Sequence, residues 1–245
     1  MRNIAVILAG GTGSRIGGNT PKQFLLLDDG RSVLEHSVDA FEQASCIDEI
    51  AVVMHPEWLA EAEAMIERNG WKKVQQLIPG GSERWESSWR AVEEYMQSAK
   101  LGGCISLLLH DAARPFVSQR IIADVCQALE THQAVTVAVP STDTLYKVQS
   151  DKVQSDKVQS DKGQSDKGMF LEEVLDRLYV WRAQTPQAFH LGTIAEAFRK
   201  AMEEGQIAAT DDIGIVHRYM PDVPVFIVPG EERNRKITYQ EDLKP

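Results

Sequence analysis

Short apolar runs alternate with amphipathic stretches along most of the chain, and this alternation constrains the fold more than any other feature. Ile4–Leu8, Ile50–Met54, Val74–Ile78, Ile105–Leu109 and Val135–Val139 each read as a buried strand. Between the first two, Val33, Leu34, Ser37, Val38 and Phe41 recur at helical spacing. Pro56 suits the first turn of a helix whose buried face is Leu59, Ala62, Met65 and Ile66. Further helices are predicted over about 83–96 and over 121–129. Strand and helix alternating in this way predict an α/β fold with a mostly parallel, doubly wound sheet. The continuously apolar run Ile105–Leu109 reads as a central strand.

The rhythm breaks after Pro140. From Val148 to Lys167 the chain reads VQSDK three times and GQSDK once. A five-residue period matches no solenoid, and its few valines cannot build a core. Its Asp and Lys residues cancel in charge. The segment reads as a solvated, disordered expansion of a loop. Order resumes near Met169, with a strand at Tyr179–Ala183 and a helical stripe of Ile194, Ala197, Phe198, Ala201 and Met202. A helix over 212–219 and a strand at Val225–Val228 complete the pattern. The expected organisation is one domain over 1–245, from which residues 141–178 project as an arm carrying the repeat at 148–167.

Bulk properties narrow the function. A net charge of −10 argues against a nucleic-acid surface or an acidic membrane as partner, though not against a local phosphate pocket. No apolar stretch reaches the length of a membrane span. Ile4–Ala9 is too short for a secretory leader and runs straight into glycine. Cys46, Cys104 and Cys126 form no C-x-x-C pair and read as buried, reduced thiols of a cytoplasmic protein. The histidines show no metal-ligand spacing.

The segment richest in chemistry is Leu8-Ala9-Gly10-Gly11-Thr12-Gly13-Ser14-Arg15, directly after the first strand. Glycine lets backbone N–H groups face a ligand with no Cβ in the way, and a row of such groups binds anions. In an open α/β sheet, ligands bind beyond the carboxyl ends of the strands. The loop lacks the Gly-Lys-Ser/Thr ending of a Walker loop, and Ile16 stands where a dinucleotide fingerprint needs its third glycine. Arg15 and the Lys22 of Pro21-Lys22-Gln23-Phe24 add the cations that a triphosphate requires. Two more motifs follow. Gly80-Gly81-Ser82-Glu83-Arg84-x-x-Ser87 combines a glycine turn with hydroxyls at a helix start, and alone would pass for a capped turn. His110-Asp111-Ala112-Ala113-Arg114-Pro115 puts Asp111 at the carboxyl end of the central strand, where a hard carboxylate suits Mg²⁺.

Taken together, LAGGTGSRIG…PKQF and the two later motifs resemble the cytidylyltransferases that act on 2-C-methyl-D-erythritol 4-phosphate, within the sugar-nucleotide pyrophosphorylase superfamily. The resemblance covers nearly the whole chain except the repeat. It implies a Rossmann-like nucleotidyltransferase sheet with a projecting β-arm. It also implies a reaction in which CTP and a sugar-alcohol phosphate give a CDP-alcohol and pyrophosphate. On this likeness Leu8, Ala9, Gly10, Gly11, Thr12, Gly13, Ser14, Gly81, Ser82, Ser87, Asp111 and Ala112 bind CTP, and Asp111 holds Mg²⁺. Arg114, Thr144, Arg177, Thr185, Thr210 and Lys236 hold the polyol phosphate. Arg15, Lys22, Arg177 and Lys236 are the catalytic cations. The arm of the family embraces a second subunit, so a homodimer is implied, with Thr144 and Arg177 completing the partner's site. A sister group acts on ribitol 5-phosphate, and that substrate stays open as an alternative. A different nucleotide, or a non-catalytic nucleotide-binding protein, are more distant ones.

No Ser-His-Asp or Cys-His arrangement is evident in the sequence. None is needed, because the attacking phosphate monoester already carries close to two charges, its second pKa being about 6. The implied chemistry is in-line displacement at the α-phosphorus, driven by positioning and charge stabilisation.

Overall fold

The computed structural model describes residues 1–11, 21–99, 104–150, 169–205, 207 and 209–243. The described chain forms two compact units, one from Met1–Ala138 with Ala183–Pro245 and the other from Val139–Arg182.

The larger unit is built on a seven-stranded sheet in the order β3-β2-β1-β4-β8-β5-β9. Its strands are β1 (Arg2–Ala9), β2 (Glu49–Met54), β3 (Val74–Pro79), β4 (Ile105–Asp111), β5 (Ala134–Pro140), β8 (Trp181–His190) and β9 (Val225–Pro229). β1 pairs in parallel with β2 and with β4, β2 with β3, and β5 with β9; β8 runs antiparallel to β4. β4 is buried at every position, as its unbroken apolar run predicts for a central strand.

Successive side chains of β1 enter opposite cores. Ala5 and Ile7 pack with α1 (Val33–Glu42), α2 (Leu59–Asn69) and α4 (Gln119–Ala128) through Leu34, Phe41, Met65, Ile121 and Val125. Ile4 and Val6 pack with α3 (Arg84–Ala99), α5 (Leu191–Glu204) and α6 (Asp212–Tyr219) through Tyr95, Phe198 and Val216. The sheet is therefore doubly wound. Helix starts are locally encoded: Ser32 accepts the Glu35 N–H while the Glu35 carboxylate accepts the Ser32 N–H, a complete capping box. α2 stops at Gly70, whose φ of 64° is the left-handed conformation of a helix end.

The smaller unit contains an antiparallel pair, β6 (Tyr146–Ser150) and β7 (Met169–Val174), with Tyr146 opposite Val174. A 3-10 turn at Arg177–Tyr179 follows, the Leu178 N–H donating to the Asp176 carboxylate.

Three sequence expectations need correction. The predicted strand at Tyr179–Ala183 begins instead at Trp181 and continues to His190, through polar residues that the core satisfies. Val148-Gln149-Ser150, read as part of the disordered repeat, belong to β6, where they pair with Met169–Leu171. The rest of the repeat, 151–167, lies outside the described residues. Of the three thiols, Cys126 is buried, Cys46 half-buried and Cys104 exposed; all are free. Among the described residues no helix is long and apolar enough to cross a membrane.

Candidate active site

The site forms where β1 and β4 end side by side. Leu8 of β1 stands in register with Asp111 of β4, and the Ala112 N–H donates to the Leu8 carbonyl at 3.0 Å. The two chains then diverge, as strands do at the carboxyl edge of a doubly wound sheet.

Two glycine turns meet above this edge. A Cβ on Gly10 would lie 3.1 Å from Ser87 Oγ and 3.8 Å from the Gly80 Cα. A Cβ on Gly81 would fall 2.2 Å from the Glu86 Cβ, so only glycine fits there without rearrangement. Ser87 Oγ accepts the Gly81 N–H at 3.1 Å, and the Arg90 guanidinium donates to the Pro79 and Gly80 carbonyls. Ser82 is held by the Glu86 carboxylate through both its N–H and its hydroxyl. On the other side, Lys22-Gln23-Phe24 makes a 3-10 turn. Gln23, buried, donates to the Ala9 carbonyl at 2.8 Å and so ties this turn to the end of β1.

A cavity of about 400 Å³ lies between these turns. Leu8, Ala9, Gly10, Gly11, Lys22, Gly81, Ser82, Ser87, Asp111, Ala112 and Lys236 line it, as the resemblance implies for CTP and its transfer. Thr12, Gly13, Ser14 and Arg15 lie outside the described residues.

Asp111 is the electrostatic centre. Its Oδ1 accepts Arg84 Nε at 3.2 Å and its Oδ2 accepts Lys236 Nζ at 2.7 Å. Burial by itself would raise this carboxyl, but Arg84 and Lys236 outweigh it and hold the group well below the usual carboxylate range. Arg84 also donates from Nη1 to Asp212 Oδ2 at 2.8 Å. Burial opposes the Arg84 charge, yet Asp212 and Asp111 more than offset it, and its pKa is raised. Neighbouring His110 is fully buried, and burial pushes it down to about 4. Its ring nitrogens meet the Arg114 carbonyl and the Thr185 hydroxyl.

The remaining predicted residues are placed differently. Thr185 is buried behind Asp111 and its hydroxyl accepts the Asp111 N–H at 3.1 Å, so it shapes the strand end and does not line the cavity. Arg114 donates to the Asn234 and Ala183 carbonyls, and burial lowers its pKa. Thr210 is exposed just before the cap of α6. Thr144 and Arg177 are exposed residues of the smaller unit.

Sequence reasoning left Arg84, Gln23 and Asp212 without a role. The first two stand inside quoted motifs, so their presence was visible. What they hold was not, because Arg84 reaches partners 27 and 128 positions away. Asp212, 0% exposed, gives no sequence signal beyond its place at a helix start.

A carboxylate at a parallel strand end, faced by two glycine turns and by Lys22, Arg84 and Lys236, has the chemistry of a phosphate-binding pocket. Fold and site together define a nucleotidyltransferase. The family described as IspD, 2-C-methyl-D-erythritol 4-phosphate cytidylyltransferase, matches residues 3–245. A 2-C-methyl-D-erythritol 4-phosphate cytidylyltransferase from Thermobifida fusca is 43% identical over 245 residues, covering 99% of this chain and 90% of that protein. A bifunctional ribulose 5-phosphate reductase/CDP-ribitol pyrophosphorylase from Haemophilus influenzae is 34% identical, covering 99% of this chain and 47% of that protein. The crystal structure of a 4-diphosphocytidyl-2C-methyl-D-erythritol synthase from Anaerococcus prevotii superposes with a TM-score of 0.78 at 26% identity. That match covers 99% of this chain and 92% of the other. The chain belongs to the 2-C-methyl-D-erythritol 4-phosphate cytidylyltransferase family.

Proposed function

We propose that this protein transfers CMP from CTP to 2-C-methyl-D-erythritol 4-phosphate, giving CDP-methylerythritol and pyrophosphate in isoprenoid precursor synthesis. The observation that carries the reading is Asp111 at the end of β4, facing the Gly10 and Gly80-Gly81 turns in a chain matched to this family from residue 3 to 245.

A phosphate oxygen of the alcohol attacks the α-phosphorus of CTP. The new P–O bond forms as the bond to the β-phosphate oxygen breaks, and pyrophosphate leaves with that electron pair. No protein base is required for a phosphate nucleophile close to its dianion. Lys22, with Arg15, neutralises charge that builds on the triphosphate in the transition state. Lys236 and Arg177 hold the attacking phosphate in line.

The donor chemistry fits magnesium. Asp111 offers hard oxygens in a cavity that also receives the triphosphate. Asp111 would hold the ion as one carboxylate ligand, the phosphates of the nucleotide being the hard oxygens that magnesium sites of this kind add. Bound there, Mg²⁺ supplies charge neutralisation and orientation of the triphosphate.

We further read residues 141–178 as the arm of a homodimer, with Thr144 and Arg177 serving the partner's site. Phe170, Leu178 and Tyr179 of this segment are 55%, 76% and 84% exposed, a large apolar surface for an isolated chain. The reaction is assigned to the cytoplasm, where CTP is made.

The test is pyrophosphate release by purified protein with Mg²⁺ and CTP, offering methylerythritol 4-phosphate and ribitol 5-phosphate in parallel. Turnover with the first alone supports the reading. Turnover with ribitol 5-phosphate alone replaces it with CDP-ribitol synthesis, the activity that the Haemophilus relative's description names.

A further inference from the structure

Asp111 has two partners, and they are not equivalent. Arg84 is clamped between two carboxylates, Nη1 on Asp212 at 2.8 Å and Nε on Asp111 at 3.2 Å. The Asp212 side chain is 0% exposed, and the Asp111 side chain 12%. Among the described residues the Lys236 ammonium bonds only Asp111 Oδ2, at 2.7 Å, and its side chain is 39% exposed. The anchor is itself pinned. The Asp212 N–H donates to Gln187 Oε1 at 3.1 Å, while Gln187 Nε2 donates to Asp211 Oδ2 at 2.7 Å, tying the start of α6 to β8.

Physical chemistry separates the two cations. A planar guanidinium donating from separate nitrogens to two carboxylates is held in one orientation, whereas an ammonium on a flexible stem is a movable point charge. Withdrawing Arg84 would leave Asp212 buried with no ion-pair partner among the described residues, a strongly unfavourable state. Withdrawing Lys236 exposes only one oxygen of Asp111, at the cavity wall. The carboxylate therefore has one fixed side and one exchangeable side.

We infer that Arg84, anchored by Asp212, is a positioning residue that fixes the plane of the Asp111 carboxylate, holding Oδ1 permanently and leaving Oδ2, now on Lys236, as the oxygen to be given to a divalent cation. Lys236 is thereby released toward the phosphates when nucleotide and cation arrive. The inference rests on the reading of Asp111 as the metal ligand proposed above.

The experiment uses the full chain with Mn²⁺ as a paramagnetic probe. Arg84→Lys keeps the charge but cannot span two carboxylates; Asp212→Asn keeps the shape but removes the anchoring charge. For each, enzyme-bound Mn²⁺ is titrated by EPR in the presence of CTP, and kcat and KM are determined separately. Both variants should bind Mn²⁺ about 10-fold more weakly and lose about 10- to 100-fold in kcat, the size seen when groups supporting a metal ligand are removed. KM for CTP should stay within about threefold, as expected when nucleotide binding itself is untouched. Wild-type Mn²⁺ affinity in both variants would overturn the inference. So would a loss confined to KM, which would make Arg84 a direct nucleotide contact. Asp111→Asn separates the layers. If it retains Mn²⁺, the metal reading of Asp111 fails; if it alone loses Mn²⁺, only the positioning role fails. Should Asp212→Asn not fold, Arg84→Lys carries the same test.

Discussion

Lys22 lines the cavity from a short turn that Gln23 ties to the last carbonyl of β1. A cation of this kind acts on charge that develops only in the transition state. Lys22→Ala should therefore lower kcat by about 10²–10³ while the protein remains folded. Steady-state kinetics alongside thermal unfolding checks both parts; near-normal turnover would remove Lys22 from the catalytic set. Glu35 shows the same logic applied to stability. Burial opposes its charge, but the Ser32 N–H, Asn69 and Arg68 more than compensate and hold its pKa at about 2, below the ordinary 4.5. A group depressed in the folded state contributes fully above its unfolded pKa. Its contribution, about 3 kcal/mol from the shift, is lost as the pH falls from 4.5 toward 2. Glu35→Gln should be less stable than the parent at pH 6, and urea titrations should show the gap closing below pH 4.5.

At the scale of elements, the turn between β3 and α3 forms one wall of the cavity. Gly81 tolerates no Cβ because the Glu86 Cβ occupies that space, and Glu86 is in turn needed to hold Ser82. Gly81→Ala should cost about 1–3 kcal/mol through forced displacement. Equilibrium dialysis should show weaker CTP binding, with the loss larger than in Gly11→Ala, where the added Cβ meets nothing within 4 Å. β8 makes the complementary point. Gln184 donates to the Glu231 carbonyl, Thr185 accepts the Asp111 N–H, and Gln187 bonds to the cap of α6. One polar strand thus ties together the loop after β9, the end of β4 and the start of α6.

For the whole molecule, the smaller unit raises the question of assembly. Phe170, Leu178 and Tyr179 leave apolar surface uncovered in the single chain. If the arm serves a dimer, Phe170→Glu combined with Leu178→Glu should give monomers in sedimentation velocity. Activity should fall with them, because Thr144 and Arg177 would no longer reach a partner's site. A monomer with full turnover would show that each chain completes its own site. Of the repeat, Val148–Ser150 belong to β6 of the arm. Deleting residues 153–167, whose composition cannot build a core, should leave kcat/KM within about threefold.

The sequence alone determined the doubly wound sheet and both glycine turns. Buried strands such as Ile4–Leu8 and Ile105–Leu109 advertise themselves by unbroken apolar runs. Gly10 and Gly80-Gly81 mark backbone that comes close, and Asp111 stands two residues after the apolar run Ile105–Leu109. These are local signals, carried by neighbouring residues. Only the tertiary structure decided which charges meet. Arg84 stands in the sequence simply within a glycine-turn motif, and only the fold brings Asp111 and Asp212 to it from other elements. The strand expected to end at Ala183 runs on through Gln184-Thr185-Pro186-Gln187, where Asp111, Asn234 and Asp212 supply the hydrogen bonds that its buried polar groups need. Polar residues declare their role only when their partners are known, and here those partners lie far along the chain.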